Sequence, residues 1–109
     1  PERYPAPRVR PRVREERVAV GLAVRGDRVW LRRNGDDGLL AGMWDLPRVR
    51  RRGSRLAVVR HGGLGRGLLL EVYAAPARGE GRWFTVRQIR GIPLATAARK
   101  CLRGAGIAV

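Results

Sequence analysis

Only the final segment of this chain places its apolar residues at helical spacing. Leu94, Ala97, Ala98, Cys101, Leu102 and Ala105 fall in the i, i+3, i+4, i+7, i+8 pattern of one helical face. The apolar runs before it have strand length. A helix with one apolar stripe must bury that stripe against another element, and here the available partners are strands. The pattern therefore predicts an α+β domain: a mixed or antiparallel sheet of about five or six strands, one long C-terminal helix starting at Pro93, and a shorter helix near Arg87–Gly91. With 109 residues the chain has room for one core.

The strand assignments follow from the punctuation. Residues 1–16 carry Pro1, Pro5, Pro7 and Pro11 among charges, which reads as an extended linker, with the domain spanning 17–109. Val18 to Val24, the turn Arg25-Gly26-Asp27-Arg28 and Val29-Trp30-Leu31 read as a hairpin. Leu56 to Val59 and Leu68 to Ala74 read as a second hairpin around Gly62-Gly63-Leu64-Gly65-Arg66-Gly67, a run too glycine-rich for a strand interior. Arg82 to Val86 reads as a short strand. Pro93 suits a first helical turn, and Gly104 or Gly106 suits its end.

Charge narrows the partner. The chain holds 24 Lys+Arg against 9 Asp+Glu, a formal net charge of +15, and Lys100 is its one lysine. Guanidinium groups fork onto phosphate oxygens, so a polyanion is the expected partner. Arg48, Arg50, Arg51 and Arg52 cluster after Pro47 as candidate phosphate contacts, and Arg60, His61 and Arg66 flank the glycine run. Trp30, Trp44, Trp83 and Tyr73 are the aromatic groups able to stack on a base, with Trp44 and Trp83 read as core.

Catalytic chemistry is thinly represented. His61 reads as a hydrogen-bonded structural residue, since no Ser or Cys accompanies it. Asp36 and Asp37 read as a solvated turn rather than a metal site, and Asp45 as the residue fixing the loop before Pro47. One cysteine, Cys101, allows neither an internal disulfide nor a multi-cysteine metal site and fits a reducing, cytoplasmic setting. The apolar runs are too short to cross a bilayer, so no membrane partner is expected.

The string Gly38-Leu39-Leu40-Ala41-Gly42-Met43-Trp44-Asp45-Leu46-Pro47, preceded by Leu31-Arg32-Arg33, resembles the C-terminal domain of adenine DNA glycosylases of the MutY family. The family carries an Arg-Arg, a short polar loop and a Gly-Leu-Leu-(Ala/Gly)-Gly-(Leu/Met)-Trp-(Glu/Asp)-(Phe/Leu)-Pro string, and the residues here follow that order. Residues 1–16 are similar to its interdomain linker, and the stretches from Trp83 and from Ile92 to its closing strand and helix. The resemblance implies a Nudix-like fold that reads 8-oxoguanine opposite the adenine excised by an N-terminal helical domain. Double-stranded DNA and that N-terminal domain are the implied partners, for a monomeric, nucleoid-associated chain without an initiator methionine that reads as part of a longer protein.

The same resemblance limits the activity. The glycosylase carboxylates and iron-sulfur cysteines of the family belong to the N-terminal domain, so no catalytic residue and no cofactor are expected here. The glutamate-rich box of Nudix pyrophosphatases, which holds Mg²⁺, is also missing, which disfavours a small Nudix hydrolase acting on oxidised nucleotides. Aligned without gaps, the family's lesion-reading Phe-Ser-His falls on Gly63, Leu64 and Gly65. Lesion contact would then rest on glycine amides, on Leu64 as an apolar wedge, and on Arg60 and His61, which match residues that often precede the motif. The alternative is a degenerate basic interaction module without lesion preference.

Overall fold

A computed structural model of the chain describes residues 14–36, 40–50, 53–63 and 66–109. Leu64, Gly65, Arg51, Arg52, Asp37 and all of the expected linker before Arg14 lie outside the described residues.

The order of elements is β1 (Arg14–Leu22), β2 (Val24–Arg25), β3 (Arg28–Arg33), β4 (Trp44–Asp45), β5 (Arg55–Gly63), β6 (Arg66–Ala74), β7 (Arg82–Thr85), α1 (Val86–Ile89) and α2 (Thr96–Gly104). The described strands form two sheets rather than one. In the first, β6 is central, parallel to β1 and antiparallel to β5. In the second, β3 is antiparallel to β2, β4 and β7. The α+β architecture with mixed pairing is as expected, and the higher strand count comes from β2 and β4, each two residues long.

Four boundaries differ from the sequence reading. The run from Val18 to Val24 is divided at Ala23. Its first part pairs with β6, and only Val24–Arg25 forms the hairpin with β3 around Gly26, whose φ of 61° fits a residue without Cβ. The alternation breaks at the same point: Val20 and Leu22 enter the core, Ala23 is buried as well, and Val24, which an unbroken strand would place on the core face, is 53% exposed. β1 opens at Arg14, so Glu15 and Glu16 are strand residues rather than linker. The glycine run is not a long loop, because pairing continues through Gly62↔Gly67 to Gly63↔Arg66. Pro93 lies outside α2; its carbonyl accepts from Trp44 N at 2.8 Å, and the helix starts after Ala95.

The core lies between the two sheets and the helices. Val20, Leu70 and Val72 enter it from the first sheet, Val29, Leu31 and Phe84 from the second, Ile89 from α1, and Ala98, Cys101 and Leu102 from α2. These α2 residues are the apolar stripe legible in the sequence. Burying a leucine such as Leu102 contributes about 1.5–3 kcal/mol. Gly104 lets the helix end approach β5, since a Cβ there would lie 2.9 Å from Val59 Cγ2. Gly106, at φ 91°, follows the helix end. The short helix α1 is held by Thr85, whose Oγ1 accepts from Gln88 N at 3.1 Å while Thr85 N donates to Gln88 Oε1 at 2.9 Å.

The segment after Leu46 positions the basic residues. Its described part forms no helix and runs beside β1: Gly21 N donates to Pro47 O at 2.8 Å and Val49 N to Ala19 O at 3.1 Å. Its far end is tied to β6, where Ala74 N donates to Ser54 O at 2.8 Å. Asp45 accepts from Leu46 N at 2.8 Å and fixes the chain at the entry to this segment, the role its sequence position suggests.

Candidate nucleic-acid interface

The lie of residues 47–54 opens two adjoining clefts. The larger, of about 590 Å³, lies between Arg48, Arg50 and Gly53 on one side and Ala75, Pro76 and Arg78 on the other. The smaller, of about 370 Å³, is shared by Arg32, Arg33, Arg48, Arg78 and Glu80. Five arginines from three separate stretches thus meet around one concavity, with Glu80 as the acid in its lining. None of the five forms an ion pair with a described residue. Among the described residues, only Arg33 of the five has a side-chain hydrogen bond, donating from Nε to the Gly42 carbonyl at 3.2 Å. Unneutralised cations in a concave site focus positive potential and attract phosphate.

Of the predicted phosphate contacts, Arg48 and Arg50 lie in this cleft, whereas Arg51 and Arg52 are outside the described residues. Arg32, Arg33 and Arg78 are the residues that sequence reasoning passed over. Arg78 sits in a turn that reads as mere connection, and the only signal for it is a cation between Pro76 and Gly79. Arg32 and Arg33 were visible as part of the family string, but their approach to Arg48 depends on β3 ending beside the β6–β7 turn.

The predicted lesion-contact residues are placed differently. Arg60 and His61 are neighbours in β5 and project to opposite faces of the sheet. The Arg60 side chain is 80% exposed, and its Nη1 lies 3.6 Å from Glu15 Oε2. His61 shares the α2 side with Ala57 and Val59, and its Nδ1 is buried without a hydrogen-bond partner, contrary to the satisfied histidine expected. Gly63 and Arg66 close the described hairpin as a register pair. No single side-chain cluster unites Arg60 with His61.

Three further features bear on chemistry. Trp44 packs on the core, edge to face with Phe84 at 4.7 Å, as expected. Trp83 is not core: the inward position of β7 belongs to Phe84, so Trp83 faces outward and half-buried beside Trp30. A small cavity of about 90 Å³ lies between the first sheet and α2, lined mainly by aliphatic side chains with Asp45, Arg48 and Cys101. Burial, and then the Asp45 carboxylate, push the Cys101 thiol up from 9.0 to about 11, so it is no activated nucleophile. Among the described residues no three of His, Cys, Asp and Glu come together in a group able to hold a metal ion. No described helix is long and apolar enough to cross a membrane.

No family model and no curated protein matches the sequence. Solved structures do. A MutT Nudix hydrolase from Burkholderia pseudomallei is similar with a TM-score of 0.63 at 23% identity, covering 84% of this chain and 98% of that one. The C-terminal domain of mouse MUTYH, solved in complex with human PCNA, is similar with a TM-score of 0.60 at 20% identity, covering 84% and 86%. The E. coli ORF135 protein follows at 0.56 and 17%, covering 88% and 96%. The fold of this chain is Nudix-like.

Proposed function

We propose that this chain is a non-catalytic DNA-binding domain that works beside an adenine glycosylase domain, gripping the duplex around 8-oxoguanine opposite adenine. The observation that carries this reading is the convergence of Arg32, Arg33, Arg48, Arg50 and Arg78 on one concavity without acidic partners among the described residues. Arg32, Arg33 and Pro47, from the string that resembles the MutY family, line that concavity, and the fold shared with the C-terminal domain of mouse MUTYH agrees with the same reading. Phosphates bound in the cleft would position the duplex, and lesion contact would fall to the β5–β6 hairpin through Gly63, Leu64 and Gly65. In this reading the chain performs no hydrolysis, because its sequence offers no glutamate cluster to hold Mg²⁺ in the Nudix manner.

A second reading, a basic module that grips DNA without lesion preference, is favoured by the hairpin itself. Arg60 is turned toward Glu15, His61 faces the other side of the sheet, and no serine hydroxyl stands where the family's motif would place one.

One titration separates the two. The chain is titrated against duplexes holding 8-oxoguanine opposite adenine, guanine opposite adenine, and an ordinary G·C pair, at two salt concentrations. Five arginine–phosphate contacts predict a log–log salt slope of about −4.5. A preference for the oxidised duplex of about tenfold, near 1.4 kcal/mol, establishes lesion reading. Equal, salt-dependent binding establishes the module, and a flat salt dependence overturns both.

A further inference from the structure

The outward face of the β3–β7 pair holds two half-buried tryptophans outside the core cluster, and Trp30 Nε1 is buried there without a hydrogen-bond partner among the described residues. Trp30 and Trp83 stand directly opposite in the ladder, with ring centroids 5.4 Å apart and planes at 66°. The Arg25 guanidinium carbon lies 5.2 Å above the Trp83 ring. The Trp30 ring lies against Gly81, where an added Cβ would come within 2.5 Å of its Cε2. Gly81 in turn follows Gly79 and Glu80, which line the smaller arginine cleft together with Arg32. Arg32 is two residues beyond Trp30 on the same strand and so projects to the same face. Cations and rings form one continuous track: Arg25, Trp83, Trp30, Arg32, Arg78, Arg48.

We propose that this track binds a single-stranded stretch of nucleic acid, with its phosphates on the arginines and its bases against the two indoles. The inference rests on the nucleic-acid reading above and goes beyond it: next to the duplex contact proposed there, the rings give the same arginine cleft a second ligand, an unpaired strand. A paired base keeps its faces inside the helical stack, where a half-buried indole cannot reach them. An unpaired base offers a π-face that stacks on tryptophan whatever its identity, and a positively charged groove beside such rings is the usual means of holding single strands. Tryptophan and arginine also mark protein interfaces. What favours a polyanion here is that Gly81, against the Trp30 ring, adjoins a cleft whose lining holds four arginines, Arg32, Arg33, Arg48 and Arg78, and one acid, Glu80.

The test uses the whole chain with two probes, an oligothymidylate about a dozen nucleotides long and a DNA hairpin duplex of similar charge. Trp30→Leu and Trp83→Leu keep apolar cover on the sheet but remove the flat ring, Trp83→Phe restores a ring, and circular dichroism checks that each variant folds. Each Leu substitution is expected to weaken oligothymidylate binding roughly tenfold and leave duplex binding within about twofold, while Trp83→Phe recovers most of the loss. Quenching of tryptophan fluorescence by oligothymidylate is expected in the unaltered chain. If the Leu variants bind oligothymidylate as the unaltered chain does, while Arg48→Gln with Arg78→Gln weakens both probes, the track is overturned and the duplex reading stands. If the unaltered chain binds neither probe, both readings fall. Self-association of the chain that Trp83→Leu abolishes would assign the ring pair to protein docking and overturn the track.

Discussion

On β5, Arg55 and Arg60 both lie within reach of carboxylates: Arg55 Nη1 is 3.7 Å from Glu71 Oε2, and Arg60 Nη1 is 3.6 Å from Glu15 Oε2. In the cleft, Arg48, Arg50 and Arg78 have no such neighbour among the described residues. The difference is made by register. The parallel pairing of β1 with β6 sets Glu15 opposite Gly67, and the antiparallel pairing of β5 with β6 sets Arg60 opposite Leu69, so acid and base share one face across the central strand. Glu71, buried in β6, is held further by Tyr73, whose hydroxyl donates to Glu71 Oε2 at 2.8 Å. The segment carrying Arg48 and Arg50 is held to β1 by backbone hydrogen bonds and by the Val49 side chain against Gly21, which leaves both guanidinium groups without an ion pair among the described residues. A count of arginines weighs the two regions equally; among the described residues the ion pairs fall on β5 and not in the cleft.

The largest effect expected from this contrast is on duplex affinity. Reversing two cleft charges together, Arg48→Glu with Arg78→Glu, should weaken low-salt binding at least about a hundredfold and lower the salt slope by about 2. Arg60→Glu on the hairpin should weaken it only severalfold, because part of that charge is already offset by Glu15. Fluorescence anisotropy across a salt series measures both. Equal losses in the two regions would show that the ion pair on β5 does not mask Arg60 and would remove the distinction.

A smaller effect tests how the cleft wall is held. Gly53 lies where an added Cβ would meet the Ala74 carbonyl oxygen at 2.6 Å, and backbone cannot move aside as a flexible side chain can. Gly53→Ala should therefore push the arginine segment away from β6, costing about 1–3 kcal/mol in urea unfolding and weakening duplex binding, with no effect on the hairpin. Unchanged stability and binding would mean that Arg48 and Arg50 are not positioned by this contact.

The legibility of the two regions in the sequence differs for the same physical reason. The α2 stripe and the strand character of β5 and β6 depend on residues close in sequence, and their patterning reports them; the Thr85 capping box, which starts α1 at Val86 where the sequence reads as strand, comes from the structure. The division of the first apolar run at Ala23 does not, because both halves are apolar and only the choice of partner strand separates them. The cleft was half visible: Arg48 and Arg50 stand in an evident basic cluster, while Arg78 and the Arg32-Arg33 pair reach it only through strand order. Arg60 and His61 look like a unit in sequence and are parted by the two-residue period of a strand. Trp83 reads as core by residue type, whereas the register of β7 gives the inward position to Phe84.

The smallest effect lies away from both regions, at Cys101 in the floor of the fold. Its thiol is held up at about 11 against an ordinary value of 9.0, by burial first and by Asp45 second. The unfolded chain begins to release this proton near pH 9, while the folded chain keeps it. The associated stability is therefore complete below the unfolded value and is lost as pH rises through the folded one. Other groups titrate in the same range, so the informative quantity is the difference between the unaltered chain and Cys101→Ala. The substitution lowers stability at every pH through the cavity it leaves, a cost that does not titrate. In urea unfolding at about pH 8 and about pH 10.5, the gap between the two proteins should narrow at the higher pH. A gap that stays constant would mean that the thiol ionises as easily in the folded chain as in the unfolded one, and that the cavity beside Asp45 and Arg48 admits solvent to α2.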